Sequence, residues 1–453
     1  MMGFSEGEII ELTGVIAAVR SFGSERKYFV NSGDATFSFR TRDNLAAGDV
    51  IRLEGIFESL ADFGIAARKV TVLAAKDADD AYNTVERKIA QNAGLKGGML
   101  SENPASAALR GGMEAVARKI LAAKGLNRFV MLRFHGDADG IAGALALRSV
   151  LRFRAYQQNS AIYSPREAVN DIGNLRHENR PLMILLDFGT NAESMDGLKL
   201  LRAAGIETVA IDHHPLHAAV KPFIGMLLSP WLVEGLEEPS KYSAGYLAAE
   251  IANMCGAENA DAYAYAGIAC AGDKSDVMRS GETEKKAALV LDYLAAHASF
   301  GNSLDFYGDV LKNGELFDSL WQQGSDRIKE AVENVLPRVK KSEKNGIIIY
   351  VIPLDGIVVK GEFPNRSKVT TAIFENFSTD SPMMALGYGK GTVIARCNSA
   401  FVAKGAGLSE IIKRVSSDMK DFVVAGGGHA KAAAMKVQEG YEKSVVERLI
   451  GEL

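Results

Sequence analysis

Four groups of aspartate and histidine stand where apolar runs end. His135-Gly136-Asp137-Ala138-Asp139-Gly140 follows RFVMLRF, Asp187-Phe188-Gly189 follows LMILL, and Asp212-His213-His214-Pro215 follows TVAI. Gly272-Asp273-Lys274-Ser275-Asp276 follows the helical stretch AGIACA. Carboxylates with a few imidazoles form a hard, mixed oxygen and nitrogen donor set. Such a set suits Mn²⁺ or Mg²⁺ better than structural zinc. Five or more carboxylates in one place would repel one another at neutral pH unless cations sit among them. Two divalent ions about 3.5–4 Å apart, sharing a carboxylate, form a clamp for in-line attack on phosphorus. A single Asp-Gly is ordinarily a turn or a helix cap. The joint placement of four such groups is what points to a site.

A further group lies near the C-terminus. Gly426-Gly427-Gly428-His429 precedes the small residues AKAAA, and Arg396 sits in TVIARCNS. Glycines let the backbone approach a ligand closely. At a helix start their N–H groups could hold a phosphate, with Arg396 as an anion partner.

These residues need elements to position them. Residues 1–75 read as a small all-β barrel of the OB type, with strands expected at 9–20, 27–39, 49–58 and 66–73. Most of its aromatics (Phe22, Tyr28, Phe29, Phe37, Phe39, Phe57, Phe63) are expected in its core, with stacking platforms for single-stranded bases as the alternative. Residues 76–110 read as a helix and linker. From 111 to 300, strand-like runs (FVMLRF, SAIYS, LMILLDFG, ETVAIDHH) alternate with helix-like ones, the pattern of a parallel sheet covered by helices. In such a sheet ligands bind at the carboxyl ends of the strands, where three of the four groups fall. A helical connector is expected over 301–344 and a smaller α/β domain over 345–453. The fold class is thus α/β, preceded by an OB-like barrel.

Composition narrows the function classes. Of 453 residues, 47% are hydrophobic and 24% charged, as in an average soluble chain, which excludes wholesale disorder and a coiled-coil rod. No apolar run is long enough for a membrane helix. The first residues are acidic where a secretory leader would be basic, so a cytoplasmic location is expected. Cys255, Cys270 and Cys397 stand apart, with no CxxC pair, which excludes a thiolate zinc site. The net charge of −4 supplies no global pull toward nucleic acid. Residues 1–75 hold eight Lys/Arg against ten Asp/Glu, which leaves protein binding open for the barrel.

The order H-x-D-x-D-G, D-x-G, D-H-H and a later aspartate resembles the DHH phosphoesterase superfamily. The R-x-x-S and GGGHxxAA elements resemble its DHHA1 domain, although the last motif reads AAA where the family usually has AAG. A barrel placed before the core is similar to archaeal RecJ-like nucleases. The resemblance implies that His135 and Asp137 hold one Mn²⁺, that Asp139 and His213 hold a second, and that Asp187 bridges both. It implies that Asp276 serves as the last ligand, with Asp273 as the alternate. Asp212 would orient an imidazole, and His214 would face the scissile phosphate as a contact or proton donor. Arg396, Gly427, Gly428 and His429 would bind the phosphate or terminal nucleotide.

The leading expectation is therefore a single-strand-specific exonuclease acting on DNA or RNA with two divalent cations, Mn²⁺ before Mg²⁺. A phosphodiesterase or phosphatase for very short oligonucleotides, cyclic dinucleotides or a bisphosphorylated nucleotide is the second. The third is a scaffold in a replication complex, with the GINS complex as the partner the resemblance suggests. No membrane partner is expected.

Overall fold

The computed structural model describes residues 4–22, 25–59, 61–102, 104–297, 303–359, 362–405 and 407–453. The first compact unit, apart from the turn Gly136–Ala138, runs to Ser280, and the second covers Gly281–Leu453.

The first unit opens with a closed barrel of β1 (Ile9–Phe22), β2 (Glu25–Asn31), β3 (Thr36–Arg40), β4 (Val50–Ser59) and β5 (Gly64–Val72), in the order β1-β2-β3-β5-β4. β3 and β5 run parallel and every other pair is antiparallel. The run expected as one strand over 27–39 is a hairpin. The Ser32 N–H bonds to the Ala35 carbonyl at 3.0 Å, and Gly33 takes φ +94°, a conformation glycine adopts without strain. Period-two alternation sends Tyr28, Val30, Phe37 and Phe39 inward, where they join Phe57 with almost no exposure. Phe29 and Phe63 are half-buried, and the side chain of Phe22 lies outside the described residues.

Helices α1 (Ala75–Asn92) and α2 (Pro104–Gly125) lead to a five-stranded sheet. In chain order it is built from β6 (Val130–His135), α3 (Ala138–Arg148), β7 (Arg154–Gln158), α4 (Pro165–Leu175), β8 (Leu182–Leu186), α5 (Met195–Ala203), β9 (Glu207–Ile211) and β10 (Met226–Leu228). Helices α6 (Ala244–Met254) and α7 (Asn259–Gly272) follow. All strands are parallel, in the order β10-β9-β8-β6-β7. Every residue of β8 (LMILL) is buried, as expected where both faces of a parallel sheet are covered. The strand order reverses between β6 and β8, so the topological switch point lies at the ends carrying His135 and Asp187.

One strand sits elsewhere than the hydrophobic pattern suggests. SAIYS (160–164) is not a strand. The strand is the polar run RAYQQ just before it, which forms the edge strand β7 with its first residues facing solvent. Tyr163 supplied the apolar signal, but it is a core residue leading into the Ser164 cap of α4.

The second unit begins with α8 (Glu282–Ala296), α9 (Leu304–Lys312) and α10 (Gly314–Val335). Then come β11 (Lys340–Lys344), β12 (Ile347–Pro353), α11 (Arg366–Asn376), β13 (Met383–Gly389) and β14 (Thr392–Cys397). It ends with α12 (Ser399–Val402), α13 (Leu408–Asp418), β15 (Val423–Gly428), β16 (Ala432–Val437) and α14 (Glu442–Gly451). The sheet order is β11-β12-β13-β14-β16-β15, with β12 and β13 parallel and the other pairs antiparallel. Leu408, Ile411 and Leu449 pack on one face, and Val335, Val369 and Ile373 on the other. The glycine run is not at a helix start. It lies on β15 and turns into β16, because small residues on both strands let this hairpin pair closely.

Candidate metal centre

Asp187 is the residue around which the strand ends gather. It follows β8 directly, is 1% exposed, and takes φ +67°, a conformation unusual for a residue with a Cβ. Its N–H bonds to the Ile211 carbonyl at 2.8 Å, which extends the β8–β9 pairing past the strand and holds the turn. Gly189, two residues on, has φ +100°, so the chain turns away over two left-handed positions. Strain of this kind costs about 1–3 kcal/mol and persists where a side chain must be aimed.

The Asp187 carboxylate faces two ways. Oδ2 lies 3.4 Å from His135 Nδ1, and Oδ1 lies 3.3 Å from His213 Nε2. His135, Asp137 and Asp187 form one set whose ligand atoms lie within 4.8 Å of one another. Asp139, His213 and Asp273 form another, and Asp187, His213 and His214 a third. Asp187 thus touches both imidazoles, one at each donor set.

Glycines allow this crowding. A Cβ on Gly140 would fall 2.3 Å from the His135 carbonyl, so only glycine lets α3 start this close to the end of β6. A Cβ on Gly245 would fall 2.7 Å from Asp139 Oδ1, and the Gly245 N–H donates to that oxygen at 3.0 Å. Ser243 caps the same helix by accepting from the Tyr246 N–H.

The two histidines of the D-H-H run are fixed differently. His213 Nδ1 meets the Ser240 carbonyl at 2.8 Å, which makes Nδ1 the protonated nitrogen and turns Nε2 toward Asp187 and Asp273. The Trp231 indole N–H donates to the His213 carbonyl at 2.8 Å. His214 Nδ1 lies 2.9 Å from Asp212 Oδ1, which also accepts the His214 N–H at 3.0 Å. Asp212 Oδ2 accepts from the Thr190 N–H and hydroxyl at 3.1 and 2.5 Å. Asp212 is fully buried and fully engaged, so it orients His214 rather than offering an oxygen to a ligand. The His214 ring is a third exposed.

Charge within the cluster is unbalanced toward the negative. Burial disfavours the His213 cation, yet the carboxylates of Asp273, Asp187 and Asp139 hold its pKa well above the usual histidine range. Burial likewise opposes the His214 cation and is outweighed by Asp212. Burial would raise Asp212, but His214 and the Thr190 hydrogen bond keep it below the usual carboxylate range.

A divalent cation fits this donor set. Asp187 Oδ1 is buried and makes no hydrogen bond although His213 Nε2 is 3.3 Å away. Buried carboxylate oxygens left this way are costly unless a cation meets them. The donors are carboxylate oxygens and imidazole nitrogens, the set that binds Mn²⁺ and Mg²⁺.

The structure brings His135, Asp137, Asp139, Asp187, His213 and His214 together, and Asp273 in place of Asp276. Asp273 directly follows α7, with its carboxylate 3.2 Å from His213 Nε2. Three residues later the chain has left the helix, and Asp276 pairs with Lys241 at 3.2 Å on a side chain 75% exposed. Thr190, Ser240, Trp231 and Gly245 escaped the sequence reading. Of these, only Gly245, in the run YSAGYL, left a trace in the sequence.

Arg396, in the second unit, lies on β14. Its Nε donates to the Thr371 hydroxyl at 3.0 Å, its Nη2 to the Ser367 hydroxyl at 2.5 Å, and its Nη1 to the Ala395 carbonyl at 2.9 Å. No carboxylate among the described residues pairs with it, and burial pushes its pKa down to about 10. Gly427 has open space where a Cβ would be, and Gly428 takes φ +139° against Ala432 and Ala433. His429 follows, its N–H bonded to the Ala432 carbonyl at 2.7 Å.

Residues 128–272 match the family model described as the DHH family, N-terminal domain. An uncharacterized protein of Methanocaldococcus jannaschii is 25% identical over 76% of this chain. The match covers 54% of that relative, so the chain spans about half its length. The DHH domain of a protein described as belonging to a family of ribosomal proteins aligns with a TM-score of 0.73 and 22% identity, over 83% of this chain and 98% of that one. It has the same fold. RecJ of Thermus thermophilus in complex with Mn²⁺ aligns with a TM-score of 0.49 and 15% identity, over 83% of this chain and 58% of that one. Among the described residues no helix is long and apolar enough to cross a membrane. The match to the DHH family model covers residues 128–272, the segment whose strand ends build the donor sets, and this similarity supports a metal-dependent phosphoesterase.

Proposed function

We propose that this chain is a single-strand-specific exonuclease that hydrolyses phosphodiesters with two divalent cations, Mn²⁺ in preference to Mg²⁺. The observation that carries the reading is the Asp187 carboxylate, with one oxygen toward His135 and the other toward His213. His135 and Asp137 would hold one ion, and Asp139, His213 and Asp273 the other, with Asp187 facing both donor sets. Ions held there would activate water and neutralise charge developing on the phosphoryl oxygens.

The chain's own residues supply the rest. Asp212, anchored by Thr190, fixes His214 Nδ1 so that Nε2 is the nitrogen left to contact the scissile phosphate or to give a proton to the leaving oxygen. Gly245 steadies Asp139, and the Ser240 carbonyl sets the His213 tautomer. Residues 111–300 form the catalytic domain. Residues 345–453 form a DHHA1-type substrate-binding domain in which Arg396, Gly427, Gly428 and His429 hold a phosphate. A guanidinium held by the Thr371 and Ser367 hydroxyls with no carboxylate in ion-pair contact is suited to accept an anion.

Single-stranded DNA and RNA of several lengths, labelled at either end, test this with Mn²⁺ and with an Asp187→Ala control. Processive shortening of long strands, lost in the control, is the expected result and gives the polarity. Cleavage confined to the shortest oligomers moves the protein to the small-substrate class. No cleavage of any strand overturns the enzymatic reading and favours a scaffold.

A further inference from the structure

Helix α8 carries an apolar run from Ala287 to Ala296, AALVLDYLAA, in which Asp292 is the only charged residue. Val290, Leu291, Tyr293, Leu294 and Ala295 around it are buried, and its own side chain is 13% exposed. A carboxylate in such a place needs partners. Its two oxygens have different ones. Oδ1 accepts the Ala138 N–H at 2.8 Å, and Oδ2 meets the Lys368 ammonium of α11. The turn Gly136–Ala138 belongs to the second unit, as do α8 and α11, so all three groups lie within one compact body.

Ala138 is the first residue of α3 and stands between two of the expected ligands, Asp137 and Asp139. Its N–H is one of the donors that a helix start leaves without an intrahelical partner. An aspartate just before a helix ordinarily turns its own carboxylate back to such donors. Asp137 stands in that place, while its carboxylate lies in the donor set of His135 and Asp187. Asp292 brings a second carboxylate to the helix start from a different helix. Lys368 is itself firmly placed. Its N–H donates to the Asn365 side chain at 2.9 Å, and the hydroxyls of Ser367 and Thr371, on the same turn of α11, accept from Arg396.

We propose that Asp292 is a positioning residue for the metal centre. By holding the Ala138 N–H it fixes the backbone between Asp137 and Asp139 and so aims both carboxylates, and Lys368 keeps Asp292 in place. A ligand loop fixed before metal arrives loses less freedom on binding, so affinity is gained without another donor atom. The charges of Asp292 and Lys368 offset each other, so the clamp adds no net negative charge beside a cluster already rich in carboxylates. This inference rests on the reading that His135 and Asp137 hold an ion, but it can fail while that reading stands.

Calorimetric Mn²⁺ titration of the full chain, without substrate, reads affinity per folded molecule. Asp292→Ala removes the acceptor and is expected to weaken Mn²⁺ binding about tenfold or more. Asp292→Asn keeps a carbonyl oxygen for the Ala138 N–H and is expected to restore affinity to within about threefold of the intact chain. Lys368→Met removes only the charge that aims Asp292, and a loss of about threefold is expected. Val290→Ala opens a cavity under the same helix. It is expected to lower the melting temperature and leave Mn²⁺ affinity unchanged, which separates positioning from a general loosening of α8. Hydrogen exchange without metal, followed by mass spectrometry, should show the amides at the start of α3 exchanging faster in Asp292→Ala and not in Val290→Ala. Full affinity or unchanged exchange in Asp292→Ala overturns the inference and leaves the metal reading standing. So does an equal loss of affinity in Asp292→Asn or Val290→Ala, or a larger loss in Lys368→Met than in Asp292→Ala. No Mn²⁺ binding by the intact chain overturns the metal reading and the inference with it.

Discussion

Two aspartates buried in the same α/β layer show opposite uses of a carboxylate. Asp171, on α4, is fully buried and fully satisfied. Arg133 of β6 meets it through Nε at 2.5 Å and Nη2 at 2.7 Å, and the Tyr163 hydroxyl donates to it at 2.8 Å. Asp187 is equally buried, but it stands on a left-handed backbone with one oxygen making no hydrogen bond and three imidazoles, of His135, His213 and His214, within 3.6 Å of its carboxylate. The first carboxylate is completed by the chain. The second is left with an oxygen that a cation could meet. Burial therefore does not distinguish structure from chemistry here, whereas the state of the second oxygen does.

The largest expected effect breaks this contrast at Asp187. Asp187→Ala should lower kcat by roughly 10⁴-fold, about 5 kcal/mol of barrier, because it removes the carboxylate that, on the proposed reading, would serve both ions. The metal-free protein should meanwhile lose far less stability than a variant that breaks a buried ion pair, since one buried oxygen of Asp187 makes no hydrogen bond. Urea unfolding beside a hydrolysis assay reads both. A large stability loss would mean that Asp187 is held by the chain after all.

Asp171→Ala should do the reverse. It leaves the Arg133 guanidinium buried without its partner, which costs about 3–5 kcal/mol of stability. Metal affinity per folded molecule should be little changed. If the folded fraction of this variant lost its metal, the pair would belong to the site and the comparison would fail.

Metal itself is a smaller lever on stability. Mn²⁺ at about one hundred times its dissociation constant should stabilise the intact chain by about 2.7 kcal/mol. Chelator should remove that gain, and Asp187→Ala should show none of it, whereas Asp171→Ala should gain as much as the intact chain. Thermal melts with and without Mn²⁺ decide this.

How far the sequence carried is visible in these same residues. Asp187, His135 and the D-H-H run were legible because short polar side chains directly follow apolar strands, and a parallel sheet gathers strand ends. The barrel was legible from its strand-like runs broken by turn-rich pieces, although the hairpin within 27–39 was read as one strand, and Tyr28, Val30, Phe37 and Phe39 fill it. Thr190 and Ser240 were not legible. Their roles depend on turns that place a hydroxyl against Asp212 and a carbonyl against His213, and no local pattern encodes such contacts. Strand β7 was hidden because an edge strand needs few apolar residues.

Asp273 and Asp276 give the finest test, because sequence spacing and three-dimensional position disagree about them. Both follow α7, and the resemblance to the DHH superfamily favours Asp276, because the family's aspartate precedes a similar apolar pair. The geometry reverses the choice. Asp273 stands at the end of the helix, its side chain 25% exposed and 3.2 Å from His213 Nε2, while Asp276 reaches solvent and Lys241. Because Asp273 is partly open to water, a water can replace it at some cost. Asp273→Asn should therefore weaken Mn²⁺ binding by about 10–100-fold, or about 1.4–2.7 kcal/mol, rather than abolish it. Asp276→Asn removes only an exposed ion pair and should change affinity by less than about 1 kcal/mol. Calorimetric Mn²⁺ titration of the two variants side by side settles the order. A larger loss in Asp276→Asn would mean that the loop after α7 rearranges when metal binds, bringing the second aspartate in and the first one out.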